Sequence, residues 1–232
     1  MPATLFLVSA CTSFPYSSVI KESTKYVNTV LKKSFHTIKI SDTETAHYLS
    51  AGNINGPLVI LIHGSPGSWG SFAHFYKDQD LLSKVQLITF DRFGYGKNRA
   101  GIPHLSLHDQ SLIPRKLIEK YAQNRKTIIL GHSYGGPVAA QVAISKPKEI
   151  HHLILVASSM DPELEKMKWY QHIAKLPLIR SLIPDVLDVV NREILGLKDE
   201  LIKLEKSYPY QYLQQLFMEL LINLFPLKMS VI

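Results

Sequence analysis

Residues 127–136 read Thr127-Ile128-Ile129-Leu130-Gly131-His132-Ser133-Tyr134-Gly135-Gly136. The apolar run 127–130 predicts a buried strand, and a helical pattern begins at Pro137. Between them stands G-x-S-x-G, the nucleophile-elbow pattern in the strand–turn–helix context that it requires. Such a turn holds the serine backbone in a strained conformation, so that the hydroxyl projects above the sheet edge. Side chains two residues before and two residues after would collide there, which explains Gly131 and Gly135. Ser133 is therefore the candidate nucleophile. The bland alternative is a glycine-rich turn without chemistry, and two motifs upstream weigh against it.

The first is Leu58-Val59-Ile60-Leu61-Ile62-His63-Gly64-Ser65-Pro66-Gly67. Five apolar residues predict a buried strand that stops at His63-Gly64. Attack on a carbonyl needs donors for the developing oxyanion, and backbone N–H groups fixed in advance supply them without reorganisation. The N–H groups of Ser65 and Tyr134 are assigned that role. The side chain of His63 reads as a brace for the loop rather than a general base. The second motif, residues 85–98, runs a strand into Asp91-Arg92-Phe93-Gly94-Tyr95-Gly96. Asp91 and Arg92 are expected to pair and pin that turn. The Gly94-Tyr95-Gly96 piece is too short for a dinucleotide fingerprint, and no phosphate-binding loop is present.

These three motifs, in this order and spacing, resemble the α/β-hydrolase superfamily, firmly over residues 36–160. The resemblance implies a mostly parallel α/β sheet with helices on both faces, a Ser-acid-His triad and a two-amide oxyanion hole. It implies no metal and no organic cofactor, and a small-molecule substrate with an acyl or ester group. Relatives with aspartate at the elbow include dehalogenases and epoxide hydrolases; serine at 133 argues against both chemistries.

The family order is nucleophile, acid, histidine. Downstream of Ser133 the histidines are His151, His152 and His172. The first two open the strand at 153–157, at its amino end, whereas the site lies at the carboxyl ends of the strands. His172 falls in a helical segment. Asp161 stands at the carboxyl end of that strand and is the candidate acid; as Asp161-Pro162-Glu163 it also reads as a helix N-cap with proline at N1. Residues 161–224 resemble a helical cap, with helices expected at 162–173, 186–195, 198–206 and 210–223. Residues 225–232 read as the possible start of the next core strand. On this reading the last two strands, with the loops for acid and histidine, lie beyond the sequence, and the triad is incomplete in this chain. The chain is then either a serine hydrolase of esterase or acyl-transfer type or a truncated, non-catalytic relic or binding module that keeps the elbow.

With 46% hydrophobic residues a sizeable core is available. The formal charge of +7 arises from scattered residues ahead of position 161, and without a dense basic run it argues against nucleic acid. No 18-residue apolar run is present. The single cysteine, Cys11, excludes an internal disulfide. It ends the stretch Leu5-Phe6-Leu7-Val8-Ser9-Ala10-Cys11, which resembles a bacterial lipoprotein signal in which the cysteine carries lipid. That implies a membrane-anchored location in the bacterial cell envelope; an ordinary apolar N-terminus would leave the chain cytoplasmic. Residues 1–35 are then signal and tether, with 12–34 a polar tether. The first strands are expected at 36–40 and 45–49. Apolar cap residues Trp169, Tyr170, Tyr208, Tyr210, Tyr212 and Phe217 allow a greasy pocket, although helical spacing also fits simple packing.

Overall fold

Alternation of side chains along each strand decides which layer it feeds. The computed structural model describes residues 16–31, 34–164, 179 and 182–207. Its strands are β1 (Phe35–Lys39), β2 (Thr45–Gly52), β3 (Leu58–Ile62), β4 (Gln86–Phe90), β5 (Thr127–His132) and β6 (His152–Val156). They form one sheet in the order β1-β2-β4-β3-β5-β6. β1 and β2 are antiparallel, as are β2 and β4; β4, β3, β5 and β6 run parallel. The four apolar runs read from the sequence are thus neighbours in space.

The helices are α1 (Tyr16–Val30), α2 (Gln79–Lys84), α3 (Leu107–Gln110), α4 (Leu112–Tyr121), α5 (Gly135–Ser145) and α6 (Asp185–Ser207), with a 3-10 helix at Trp69–Lys77. One face of the sheet sends Tyr48, Ile60, Ile62, Ile88, Phe90 and Ile129 against α4, α5 and the buried side of α6. The other sends Leu49, Leu61 and Leu87 against the 3-10 helix, Leu82 of α2 and Val27 of α1. Helices on both faces explain why β4 is buried along its whole length.

Two expectations are corrected. Within the stretch read as a polar tether, Tyr16–Val30 is a helix that packs on the 3-10 helix. Ser23 and Val27, four residues apart, lie on one face and are buried, so a mostly polar segment still carries an inward stripe. The two helices expected at 186–195 and 198–206 are one, α6. Gly196 does not break it: an interior glycine costs about 1 kcal/mol, and burial of Val189, Leu197, Leu201 and Leu204 along one side outweighs that. The expected helix at 162–173 is described only as a turn at 162–164. The segments at 210–223 and 225–232 lie outside the described residues.

Candidate active site

Ser133 sits between β5 and α5 with φ +52, a conformation that glycine adopts freely and serine does not. Its N–H donates to the carbonyl of Val156 at 3.0 Å, and its own carbonyl accepts from Gly136 N at 2.9 Å. The surrounding glycines are required by space. A Cβ at Gly131 would stand 2.3 Å from the carbonyl oxygen of Gly135, and one at Gly135 2.2 Å from that of Ile62. A Cβ at Gly64 would come within 2.9 Å of the Ser133 Cβ. The loop after β3 therefore runs backbone-first against the serine, which brings Gly64 and Ser133 together.

That loop is held from beneath. Arg92 N donates to His63 Nε2 at 2.9 Å, so His63 Nδ1 carries the proton and donates to the Gly64 carbonyl at 2.7 Å. Burial, with the Arg92 and His132 charges, holds the His63 pKa well below its ordinary value. The imidazole is thus a neutral bridge between two backbone segments. Ser65 is half-buried, and its hydroxyl lies 2.8 Å from the Tyr95 hydroxyl.

The expected Asp91–Arg92 pair does not form. The Arg92 guanidinium meets Glu193 of α6, Nη1 to Oε1 at 2.7 Å and Nη2 to Oε2 at 3.1 Å, and both side chains are fully buried. Its Nε and Nη2 donate to the carbonyls of His63 and Gly64, at 3.0 and 3.1 Å. The guanidinium carbon lies 4.8 and 4.5 Å from the ring centroids of Tyr95 and Tyr134. Tyr95 Oη donates to Glu193 Oε2 at 2.5 Å, and Gln110 donates to Oε1 at 3.2 Å. Asp91 points elsewhere and accepts from Trp69 N at 2.9 Å and Lys97 N at 3.3 Å. Adjacent side chains on an extended segment leave on opposite sides, which separates the two. Glu193 was missed in the sequence. The available signal was a carboxylate on the apolar stripe of a helix, four residues after Val189 and four before Leu197.

Asp161 is exposed at the carboxyl end of β6, and its carboxylate accepts from Glu163 N at 2.8 Å, the bond of a turn or cap. His151 and His152 lie at the amino end of β6, remote from the elbow; the His151 backbone bonds to Thr127. His172 and Cys11 lie outside the described residues, as do Trp169, Tyr170, Tyr208, Tyr210, Tyr212 and Phe217. A cavity of about 500 Å³ opens beside β2 and β4, lined by Phe35, Tyr48, Trp69, Asp91 and Lys97 among others. No elbow residue lines it. Among the described residues no cluster of three or more His, Cys, Asp or Glu is placed to hold a metal ion. No described helix is long and apolar enough to cross a membrane.

A strand order in which β4 lies between β2 and β3, with a serine elbow after β5, defines a class, and comparison with known proteins agrees. The family profile described as "alpha/beta hydrolase fold" matches residues 57–189, so the chain belongs to the α/β-hydrolase fold family. It is 30% identical to human epoxide hydrolase 4 over 112 residues, 47% of this chain and 30% of that protein. It is 28% identical to a 1-acylglycerol-3-phosphate O-acyltransferase of Arabidopsis thaliana over 192 residues, 68% of this chain and 45% of that one. The chain thus spans less than half the length of these curated relatives. Among solved structures, a carboxylesterase study of Nitrososphaera gargenis supplies a fold match with TM-score 0.54 at 16% identity, covering 80% of this chain and 77% of that chain. An N-acyl homoserine lactone degrading enzyme matches with TM-score 0.51 at 14% identity, covering 75% and 72%.

Proposed function

We propose that this chain is a serine-dependent hydrolase of the esterase or acyl-transfer kind. One observation carries the reading: Ser133 is held at φ +52 against the backbone of Gly64, with glycine at each position where a side chain would block it. A strained, side-chain-bearing residue in so crowded a place needs a reason, and presentation of a hydroxyl supplies one. In the reaction Ser133 Oγ adds to the substrate carbonyl, and the N–H groups of Ser65 and Tyr134 receive the oxyanion. A base takes the serine proton and later delivers it to the leaving group. Asp161 is the acid candidate for orienting that base. The Arabidopsis relative is named for acyl transfer, which proceeds through the same carbonyl addition. The human relative is named for epoxide hydrolysis; serine rather than aspartate at the elbow turns this chain toward acyl chemistry. Cys11, behind its apolar stretch and two small residues, is proposed to carry a lipid that anchors the chain to the bacterial envelope.

A fluorophosphonate probe tests the nucleophile. Wild type should be labelled on Ser133, and Ser133→Ala should not be. Failure of wild type to react would favour the binding-module reading. For the anchor, Cys11→Ala should leave the membrane fraction; identical fractionation of the two forms would remove Cys11 from that role.

A further inference from the structure

The geometry points to Glu193, on α6, as the positioning residue for the oxyanion-binding amide of Ser65, acting through Arg92. This rests on the assignment of Ser65 as an oxyanion donor. The Gly64 carbonyl and the Ser65 N–H belong to one planar peptide unit, and only Ser65–Pro66 is cis among the described bonds. In a planar trans unit the two groups point in opposite directions. Whatever fixes the carbonyl therefore aims the N–H.

Two donors fix it: Arg92 Nη2 at 3.1 Å and His63 Nδ1 at 2.7 Å. Arg92 cannot swing, because Glu193 grips both of its terminal nitrogens, while its Nε holds the adjacent carbonyl of His63. The same carboxylate reaches Ser65 by a second route. Tyr95 gives its proton to Glu193, so the Ser65 hydroxyl must donate to Tyr95. Burial and the Glu193 charge push the Tyr95 phenol far above its ordinary pKa, which keeps that proton in place. Hydrogen bonds in such a chain polarise one another, so donation to the Gly64 carbonyl also strengthens the N–H on the other side. Glu193 is 128 positions from Ser65 in the chain, yet it secures both the peptide plane and the side chain of that residue.

The test uses the full chain with Glu193→Gln, which keeps the shape and removes the charge. Glu193→Asp, which keeps the charge and shortens the reach, serves if the first variant is poorly folded. Glu200→Gln is the control: Glu200 also ties α6 to the core, accepting from Leu107 N at 2.9 Å, but has no link to Ser65. Two readouts are taken at temperatures where each variant is folded. In amide NMR the Ser65 N–H should shift and exchange about tenfold faster in the Glu193 variants, while β3 amides stay unchanged. Fluorophosphonate labelling of Ser133 should slow by about tenfold or more, since a misaligned oxyanion donor costs rate. The Glu200 control should show neither effect. A Ser65 amide identical in wild type and Glu193 variants would overturn the inference, leaving Glu193 a purely structural ion-pair partner. Absence of labelling in wild type would instead sink the serine reading, and the amide measurement would still decide the positioning role.

Discussion

Two turns at the carboxyl edge of the sheet, one after β5 and one after β4, are held by different balances of packing and hydrogen bonding. The turn at Ser133 is fixed mainly by exclusion, with two backbone bonds beside it. Its serine is strained, and its form follows from backbone packed against backbone at Gly131, Gly135 and Gly64. The turn at Asp91–Asn98 is fixed by hydrogen bonds. Asp91 takes two backbone N–H groups, Arg92 takes Glu193 and two carbonyls, and Asn98 bonds to both polar backbone groups of His47. The contrast separates two ways of fixing a turn, by close backbone packing and by side-chain hydrogen bonds reaching across the chain. Long-range side-chain hydrogen bonds are concentrated in the neighbouring turn, whereas the turn at the candidate nucleophile combines close backbone packing with two backbone bonds, Ser133 N to Val156 and Gly136 N to Ser133.

The sharpest way to break the exclusion side is Gly135→Ala. Its Cβ would lie 2.2 Å from one carbonyl oxygen and 2.8 Å from another, both backbone. A loss of about 5 kcal/mol is expected, at the rare end for a single substitution, read by urea denaturation. On the hydrogen-bonded side, Arg92→Met should cost about 3–5 kcal/mol, because it strands a buried carboxylate. The double variant Arg92→Met, Glu193→Leu should recover much of that loss. Additive losses would show that the pair is not what holds α6.

Asp91 gives a pH signature. Burial is the largest influence on it and raises its pKa above the ordinary 3.8, against the pull of the Trp69 and Lys97 N–H groups. The folded state therefore holds this proton more tightly than the unfolded state. Its contribution is fully present below the unfolded pKa and is lost as pH rises through the folded one. Stability of wild type relative to Asp91→Asn should fall as pH rises from about 4, measured by paired denaturation curves; a rise would show that the two N–H bonds dominate. A smaller effect, of opposite sign, is expected at the elbow. Ser133→Gly should stabilise by about 1 kcal/mol, through relief of the left-handed conformation, while abolishing probe labelling. The smallest is Tyr134→Phe. The Tyr134 hydroxyl is buried and has no hydrogen-bond partner among the described residues, so its removal should be neutral or stabilise by up to about 1 kcal/mol.

Much of the elbow side was legible because its determinants are local. The strand at 58–62 was read with its observed ends, and the one at 127–130 extends only to His132. Both are short apolar runs ended by glycine motifs, where pattern and structure depend on adjacent residues. The glycines at 131 and 135 are steric necessities of the motif, and a Cβ at either would lie 2.3 or 2.2 Å, respectively, from a backbone carbonyl oxygen. The hydrogen-bonded side was legible only in part. Sequence marks Arg92 as a pin but points to its neighbour Asp91 as the partner, because proximity along the chain is the guide that a sequence offers; the fold supplies Glu193 instead. Helix α1 was hidden in the same way. Its buried residues Ser23 and Val27 are too few and too polar to stand out, and only the 3-10 helix that covers them reveals the stripe.

Local sequence is enough to read the strand–turn–helix around Ser133, the glycines that make room for it and the family those motifs belong to. All of these follow from sterics and propensities acting over a few residues. It takes the assembled fold to show that Glu193 closes on Arg92, that Tyr95 links that carboxylate to Ser65, and that α1 packs on the 3-10 helix. Each of these joins residues far apart in the chain. The physical reason is that a buried charge must find a partner wherever the fold brings one, and burial itself is a property of the assembled layers rather than of any segment.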